Sequence, residues 1–171
     1  LLTYQGLLPP RKLSGKEGIL NYIQQIGCIQ FDPLNKVGLN PDLVLQSRIQ
    51  DYKPHYLQEL LYKDRKLVDG WDKNMSIYLT EDWPYFKRYR DRFLKKIAEK
   101  GEDITNHLPQ IREAIQEKGP LSSIDLDHDT IIDWSWAPTR ISRAALESMY
   151  SWGELIIHHR VGRRKVYDFT R

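Results

Sequence analysis

Cysteine is almost absent: Cys28 is the only one in 171 residues. No internal disulfide can form, and a thiolate zinc cluster or a disulfide-stapled scaffold is excluded. No run of eighteen apolar residues occurs, so no membrane-spanning helix is expected. The first residues, Leu1-Leu2-Thr3-Tyr4-Gln5, lack the charged start and apolar core of a secretory signal. No initiator methionine precedes them, as expected for a piece of a longer chain, and a reducing cytoplasm is the expected location. Also missing are a phosphate-cradling glycine loop, a dinucleotide fingerprint and a serine nucleophile elbow. What is present, 40% hydrophobic and 29% charged residues, is the balance of a soluble globular chain of one domain or two small ones.

The net charge of +3 decides little, but its distribution is uneven. Residues 85–100 carry seven Lys/Arg against two acids, a net +5. Residues 101–136 reverse this with two against eight, and residues 137–171 return to seven against three. Basic blocks separated by an acidic one fit a polyanion partner that touches the former and avoids the latter. The plain alternative is solvated charge on helix surfaces.

The apolar spacing reads as one pattern used twice. Ser14 and Glu17 have capping-box spacing ahead of a helix with Ile19, Leu20, Ile23 and Ile26 on one face, stopped by Gly27. Cys28–Asp32 reads as a short strand ended by Pro33. Helices are expected around Leu43–Ile49 and after Pro54, then strands at Arg65–Trp71 and Asn74–Leu79. Residues 82–100 read as a long basic helix. In the second half, Thr105 is the expected cap of a helix bearing Leu108, Ile111 and Ile115, and Ile124–Asp133 reads as an acidic loop with room for a short turn of helix. A helix from Pro138 to Trp152 follows, then strands Glu154–Arg160 and Arg164–Phe169 around a Val161-Gly162-Arg163 turn. Helix, strand, two helices and a hairpin is the order of a winged helix. The expected fold is therefore mainly α with small β-hairpins, as tandem winged-helix modules at 1–80 and 105–171 joined by a basic helix at 81–104.

Gln30-Phe31-Asp32 is the sharpest cluster. On a strand, residues 30 and 32 share a face while Phe31 turns inward. A carboxylate beside an amide can hold one water, Asp32 taking its proton and Gln30 fixing its orientation. The alternative is an ordinary strand-ending turn at Asp32-Pro33. His158 and His159 alternate to opposite faces, with no third ligand for a metal. His128 lies among Asp125, Asp127, Asp129 and Asp133, without the spacing of a calcium loop. Trp134 and Trp136 read as core between modules rather than a base-stacking platform. Arg140 and Arg143 open the second recognition-type helix, and Arg163, Arg164 and Lys165 crown the hairpin, positions from which winged helices reach phosphates.

Several stretches together resemble the winged-helix DNA glycosylases of the YcaQ/AlkZ family. In the first half they are Gln5-Gly6-Leu7, Ile29–Asp32, Leu45-Gln46-Ser47-Arg48, Arg65-Lys66-Leu67 and Trp71; in the second, Ala145-Leu146-Glu147, Trp152–Leu155 and Arg164–Asp168. The resemblance implies a monofunctional DNA-repair glycosylase for alkylated purines, including N7-alkylguanine and interstrand crosslinks. It implies Gln30 and Asp32 as the catalytic pair, no metal or organic cofactor, and a monomer acting on damaged double-stranded DNA. Arg48 and Lys73 join the expected DNA contacts. Family members carry three winged modules, so a third is expected beyond these two.

Two departures stand out. Leu39-Asn40-Pro41 replaces an Arg-Ser-His stretch common in the family, and Trp71-Asp72-Lys73-Asn74 replaces Trp-Ala-His-Glu. Each removes a histidine near the expected site and bears on the substrate range. The alternatives to an enzyme are a winged-helix DNA-binding regulator, which prefers one sequence and releases no base, and a protein-interaction module, which shows no salt-dependent DNA binding.

Overall fold

Helical spacing and short strands divide the chain into two compact units, Leu1–Phe86 and Lys87–Arg171. The structure, a computed structural model, describes all residues except 33, 72, 73, 128, 135, 136 and 171, and all side chains but those and residues 100 and 102. The fold is mainly helical with small strand pairings.

In the first unit β1 (Leu13–Ser14) leads into α1 (Gly15–Ile26). Then come β2 (Cys28–Gln30), α2 (Asn40–Gln46), β3 (Ile49–Gln50), α3 (Pro54–Tyr62), β4 (Leu67–Trp71) and β5 (Met75–Leu79). The expected stripe of α1 is the buried one: Ile19 and Ile23 are fully enclosed, and each contributes about 1.5–3 kcal/mol relative to exposure. They meet Leu57, Leu60 and Leu61 of α3 and Ile29, Phe31, Leu67 and Ile77 in one cluster. The sheet order is β2-β5-β4, antiparallel throughout, with Ile29 opposite Ile77 and Gln30 opposite Ser76. Gly70 in β4 is obligatory, because a Cβ there would lie 2.3 Å from the Tyr78 hydroxyl.

Four expectations for this unit are corrected. Ser14 makes no side-chain capping bond, so the Ser14–Glu17 box does not form; Ser14 lies in β1, which pairs in parallel with β3. α2 runs three residues ahead of its expected bounds, because Pro41 suits a first helical turn and Ile49 is taken by β3. The strands of the hairpin begin at Leu67 and Met75, later than expected. The long helix from residue 82 is broken: Thr80–Phe86 is a 3₁₀ segment containing Pro84, whose missing N–H cannot serve an α-helical ladder.

The second unit begins with the basic helix α4 (Lys87–Lys100), then α5 (Glu102–Thr105) and α6 (Leu108–Lys118). A 3₁₀ turn (Ser123–Asp125), β6 (Ile131–Ile132), β7 (Thr139–Arg140), α7 (Ile141–Ser151), β8 (Leu155–Val161) and β9 (Arg164–Phe169) complete it. Ile111 and Ile115 of α6 and Ala144, Ala145 and Met149 of α7 are buried as the spacing predicts. Leu121 pairs with Tyr167, its N–H donating at 3.0 Å and its carbonyl accepting at 2.7 Å, which adds a one-residue third edge to the β8–β9 hairpin.

Corrections fall here too. Thr105 ends α5 instead of capping α6, which starts at Leu108 with a proline in its first turn. The acidic stretch carries a short helical turn, as its reading allowed, but also holds β6, which pairs with β7, so α7 starts at Ile141 rather than Pro138. A bulge between Ile157 and His159 shifts the β8–β9 register, bringing His158 and His159 into a ring-nitrogen hydrogen bond of 2.8 Å instead of onto opposite faces. The same shift makes the turn two residues, Gly162-Arg163, with Gly162 at φ +61° in its first position.

Candidate active site and nucleic-acid interface

The inward positions of β2 and its continuation are Ile29 and Phe31, both buried; Gln30 between them is exposed and Asp32 half-buried. The alternation follows from the strand period, held one residue past β2 by the Phe31 N–H donating to the Met75 carbonyl at 2.8 Å. Two side-chain bonds then fix the neighbourhood. The Leu34 N–H donates to Oδ1 of Asp32 at 2.9 Å, an Asx turn that sets the carboxylate's orientation. The Asn40 amide donates to the Gln30 carbonyl at 2.8 Å, tying the start of α2 to the strand. Among the described residues, Oδ2 of Asp32 and the Gln30 amide group make no protein hydrogen bond, which leaves them available to water or substrate. Asn40 entered the sequence reading only as part of the Leu39-Asn40-Pro41 departure, with no contact of its own; its place beside Pro41 at a helix start was the available signal.

A second carboxylate of this unit, Asp69, is buried and receives the Tyr62 hydroxyl at 3.3 Å. Tyr52 donates to Asp42, and burial together with that carboxylate pushes its hydroxyl pKa up. Both are architectural. So is much of Arg48: its Nε donates to the Gln5 carbonyl at 3.0 Å, its Nη1 to the Val44 carbonyl at 2.9 Å and the Ser47 hydroxyl at 2.7 Å, and its guanidinium lies over the Tyr22 ring. These bonds fasten the N-terminal segment. Lys73, Trp136 and His128 lie outside the described residues.

In the second unit, the start of α7 and the hairpin turn bring four expected cations together. Arg143, Arg163, Arg164 and Lys165 line a cleft of about 300 Å³ with Glu147, Ser123 and Tyr167. Arg143 Nε donates to Glu147 at 3.1 Å, and Trp134 Nε1 donates to the other oxygen of Glu147 at 3.1 Å, so Trp134 is held by α7 of its own unit. Glu147 was missed, although its four-residue spacing from Arg143 makes such a pair legible. Lys165 stands over the Tyr150 ring, 5.2 Å from its centroid. Arg140 lies apart from this cleft's lining and pairs with Asp129 at 3.1 Å, both well exposed, a contact readily exchanged for another anion. Asp125 is held below the usual carboxylate range by the Ser122 hydroxyl and N–H, with Arg164 and Lys118 assisting by charge.

Among the described residues, no three His, Cys, Asp or Glu side chains converge to hold a metal ion, and no helix is long and apolar enough to cross a membrane. The first unit thus presents a solvent-facing amide and carboxylate, and the second a cationic cleft beside a hairpin turn. Residues 23–171 match the family model of AlkZ-like DNA glycosylases. The chain belongs to that family, which implies a DNA substrate and glycosylase chemistry. No solved structure matches it.

Proposed function

We propose that this chain hydrolyses the N-glycosidic bond of alkylated purines in duplex DNA, N7-alkylguanine first among them, with Gln30 and Asp32 as the catalytic pair. The observation that carries this reading is the alternation at residues 29–32, which buries Ile29 and Phe31 and leaves the amide and carboxylate toward solvent within the matched family region. N7-alkylation gives the purine a positive charge, so the base leaves readily and little acid assistance is needed. Water attacks C1′ as the C1′–N9 bond breaks, and its electron pair returns to the base and neutralises it. Asp32 takes the proton of the attacking water through Oδ2 and stabilises the developing positive charge on the sugar, while Gln30 aims the water. Oδ1 stays on the Leu34 N–H and keeps the carboxylate from rotating. The products are free base and an abasic site, and an interstrand crosslink through N7 would be unhooked by the same step.

Each unit serves in this reading as a winged-helix module. In the first, α1, β2, α2, α3, β4 and β5 follow the winged-helix order; in the second, Leu121 after α6 pairs with the last strand as β2 after α1 does in the first. Arg143, Arg163, Arg164 and Lys165 hold DNA phosphates, with Arg140 and Lys73 as further contacts. Arg48, with its Nε and Nη1 donors engaged inside the first unit, supports the fold beneath the site.

The test is Asp32→Asn on duplex DNA containing N7-methylguanine. Base release should disappear while duplex binding persists, since asparagine retains an oxygen for the Leu34 N–H. Undiminished release by that variant removes the mechanism. A wild-type chain that binds one sequence and releases nothing is a regulator instead.

A further inference from the structure

Apart from the terminal Leu1, Val37 is the most exposed large hydrophobic side chain among the described residues, 85% accessible, and Leu34 close by in sequence is 60% accessible. Both belong to segment 34–38, which starts two residues after Asp32 and closes on α2. The base of this segment is well fastened. Asp32 accepts the Leu34 N–H on one side, and Asn40 donates to the Gln30 carbonyl on the other. Gly38 makes the return at φ +138°, where a Cβ would press to 3.0 Å from Leu43. Asn35 and Lys36, between the two apolar side chains, are also exposed. Aliphatic groups held in water on an anchored loop, beside a lysine and adjoining the candidate pair, are left uncovered by the described residues. Stacked base pairs would cover them, with phosphates nearby for the lysine.

We infer that Leu34 and Val37 form an apolar wedge that enters the base stack at the lesion. A glycosidic bond inside a stacked duplex is poorly accessible to a carboxylate on a strand. Side chains that unstack a step open that access, and wedges of aliphatic residues are a general means of doing so. Lys36 meets a phosphate alongside. This inference rests on the DNA-hydrolase reading above and adds the means by which the nucleotide reaches Gln30 and Asp32.

The experiment uses the whole chain and a duplex with N7-methylguanine beside 2-aminopurine, whose fluorescence rises on unstacking. Val37→Asn is the test variant, with Val37→Leu as the conservative control. Binding of the wild type should raise the fluorescence, and Val37→Asn should lose most of that rise. Its single-turnover release from the duplex should fall about tenfold or more, while release from the same lesion in a single strand, already unstacked, stays within about twofold. Val37→Leu should behave as wild type. Equal losses on duplex and single strand would indicate damage to the site and overturn the wedge, as would a wild type that binds without a rise. A wild type that raises the fluorescence through Val37 but releases no base would keep the wedge and remove the hydrolase reading.

Discussion

In each unit the last strand pairs with an inner strand that follows a packed helix, α1 in the first and α6 in the second, and the units differ in that inner strand. In the first unit that strand has three paired residues and an extension to Phe31, long enough for its period to turn Gln30 and Asp32 outward. In the second it is Leu121 alone, and the next residue, Ser122, is only 2% exposed and engaged with Asp125. The hairpins differ in the opposite sense. That of the second unit brings Arg163, Arg164 and Lys165 to a cleft, while β4 and β5 of the first are largely buried. The first unit thus turns an amide and a carboxylate to solvent along its longer inner strand, and the second gathers cations at its longer, basic hairpin.

The sharpest way to break this contrast is to neutralise the acid that follows the inner strand in each unit. Asp32→Asn should lower single-turnover base release by about 10²–10⁴-fold, the range of a lost general base. Asp125→Asn should leave the release rate near wild type and only weaken the Ser122 cap, by about 1 kcal/mol in thermal unfolding. If the two variants lose release equally, the division of roles fails. Next in size is Phe31→Ala, which empties a buried position under the pair; about 3–5 kcal/mol of stability should be lost in denaturant unfolding. For the anion seat, Arg163→Ala with Arg164→Ala should reduce the slope of log affinity against log salt by about 1–2, since each phosphate contact accounts for about 0.9.

The smallest effect concerns Glu154, which accepts from Arg112 at 2.6 and 3.0 Å and from Trp152 at 3.0 Å. Burial pushes its carboxyl up, but these donors outweigh burial and hold it below the ordinary glutamate range. A lowered folded-state value stabilises the fold above the unfolded value, and the benefit disappears as pH falls through the folded one. Glu154→Gln should therefore lose about 1 kcal/mol at neutral pH, a figure discounted for partial exposure. The gap in Tm to wild type should close on acidification.

The sequence carried the helical stripes and the strand alternation well, because each depends on neighbours three, four or two residues away. Ile19 with Ile23, Ile111 with Ile115, and Phe31 between Gln30 and Asp32 all sit as their spacing implies. Features fixed by distant partners were less legible. Ser14 has the chemistry of a cap, but β3 at residues 49–50 draws it into a strand pair. Thr105 has it as well, yet the chain is still helical when it arrives there. For the site, Gln30, Asp32 and the hairpin cations could be singled out by residue type and position. Asn40 matters through the Gln30 carbonyl and Glu147 through Trp134, contacts only the fold reveals, whereas the Arg143–Glu147 pair could have been read from its spacing. Arg48 carries the opposite lesson: a cation in a matching motif can be consumed in holding its own terminus.

The irregularity at His158 has a reach beyond its two rings. Counting residues straight along β8 and β9 from Leu155 opposite Phe169 would place Arg160 across from Arg164 and leave a three-membered bend, whereas the extra residue seats Arg160 across from Lys165. The tip of the hairpin is thus assigned by an offset inserted several positions upstream. Were His158 drawn into the ladder instead of bulging, the whole arm would slide by a notch and Val161, Gly162 and Arg163 would crown it, without altering a single letter of the sequence.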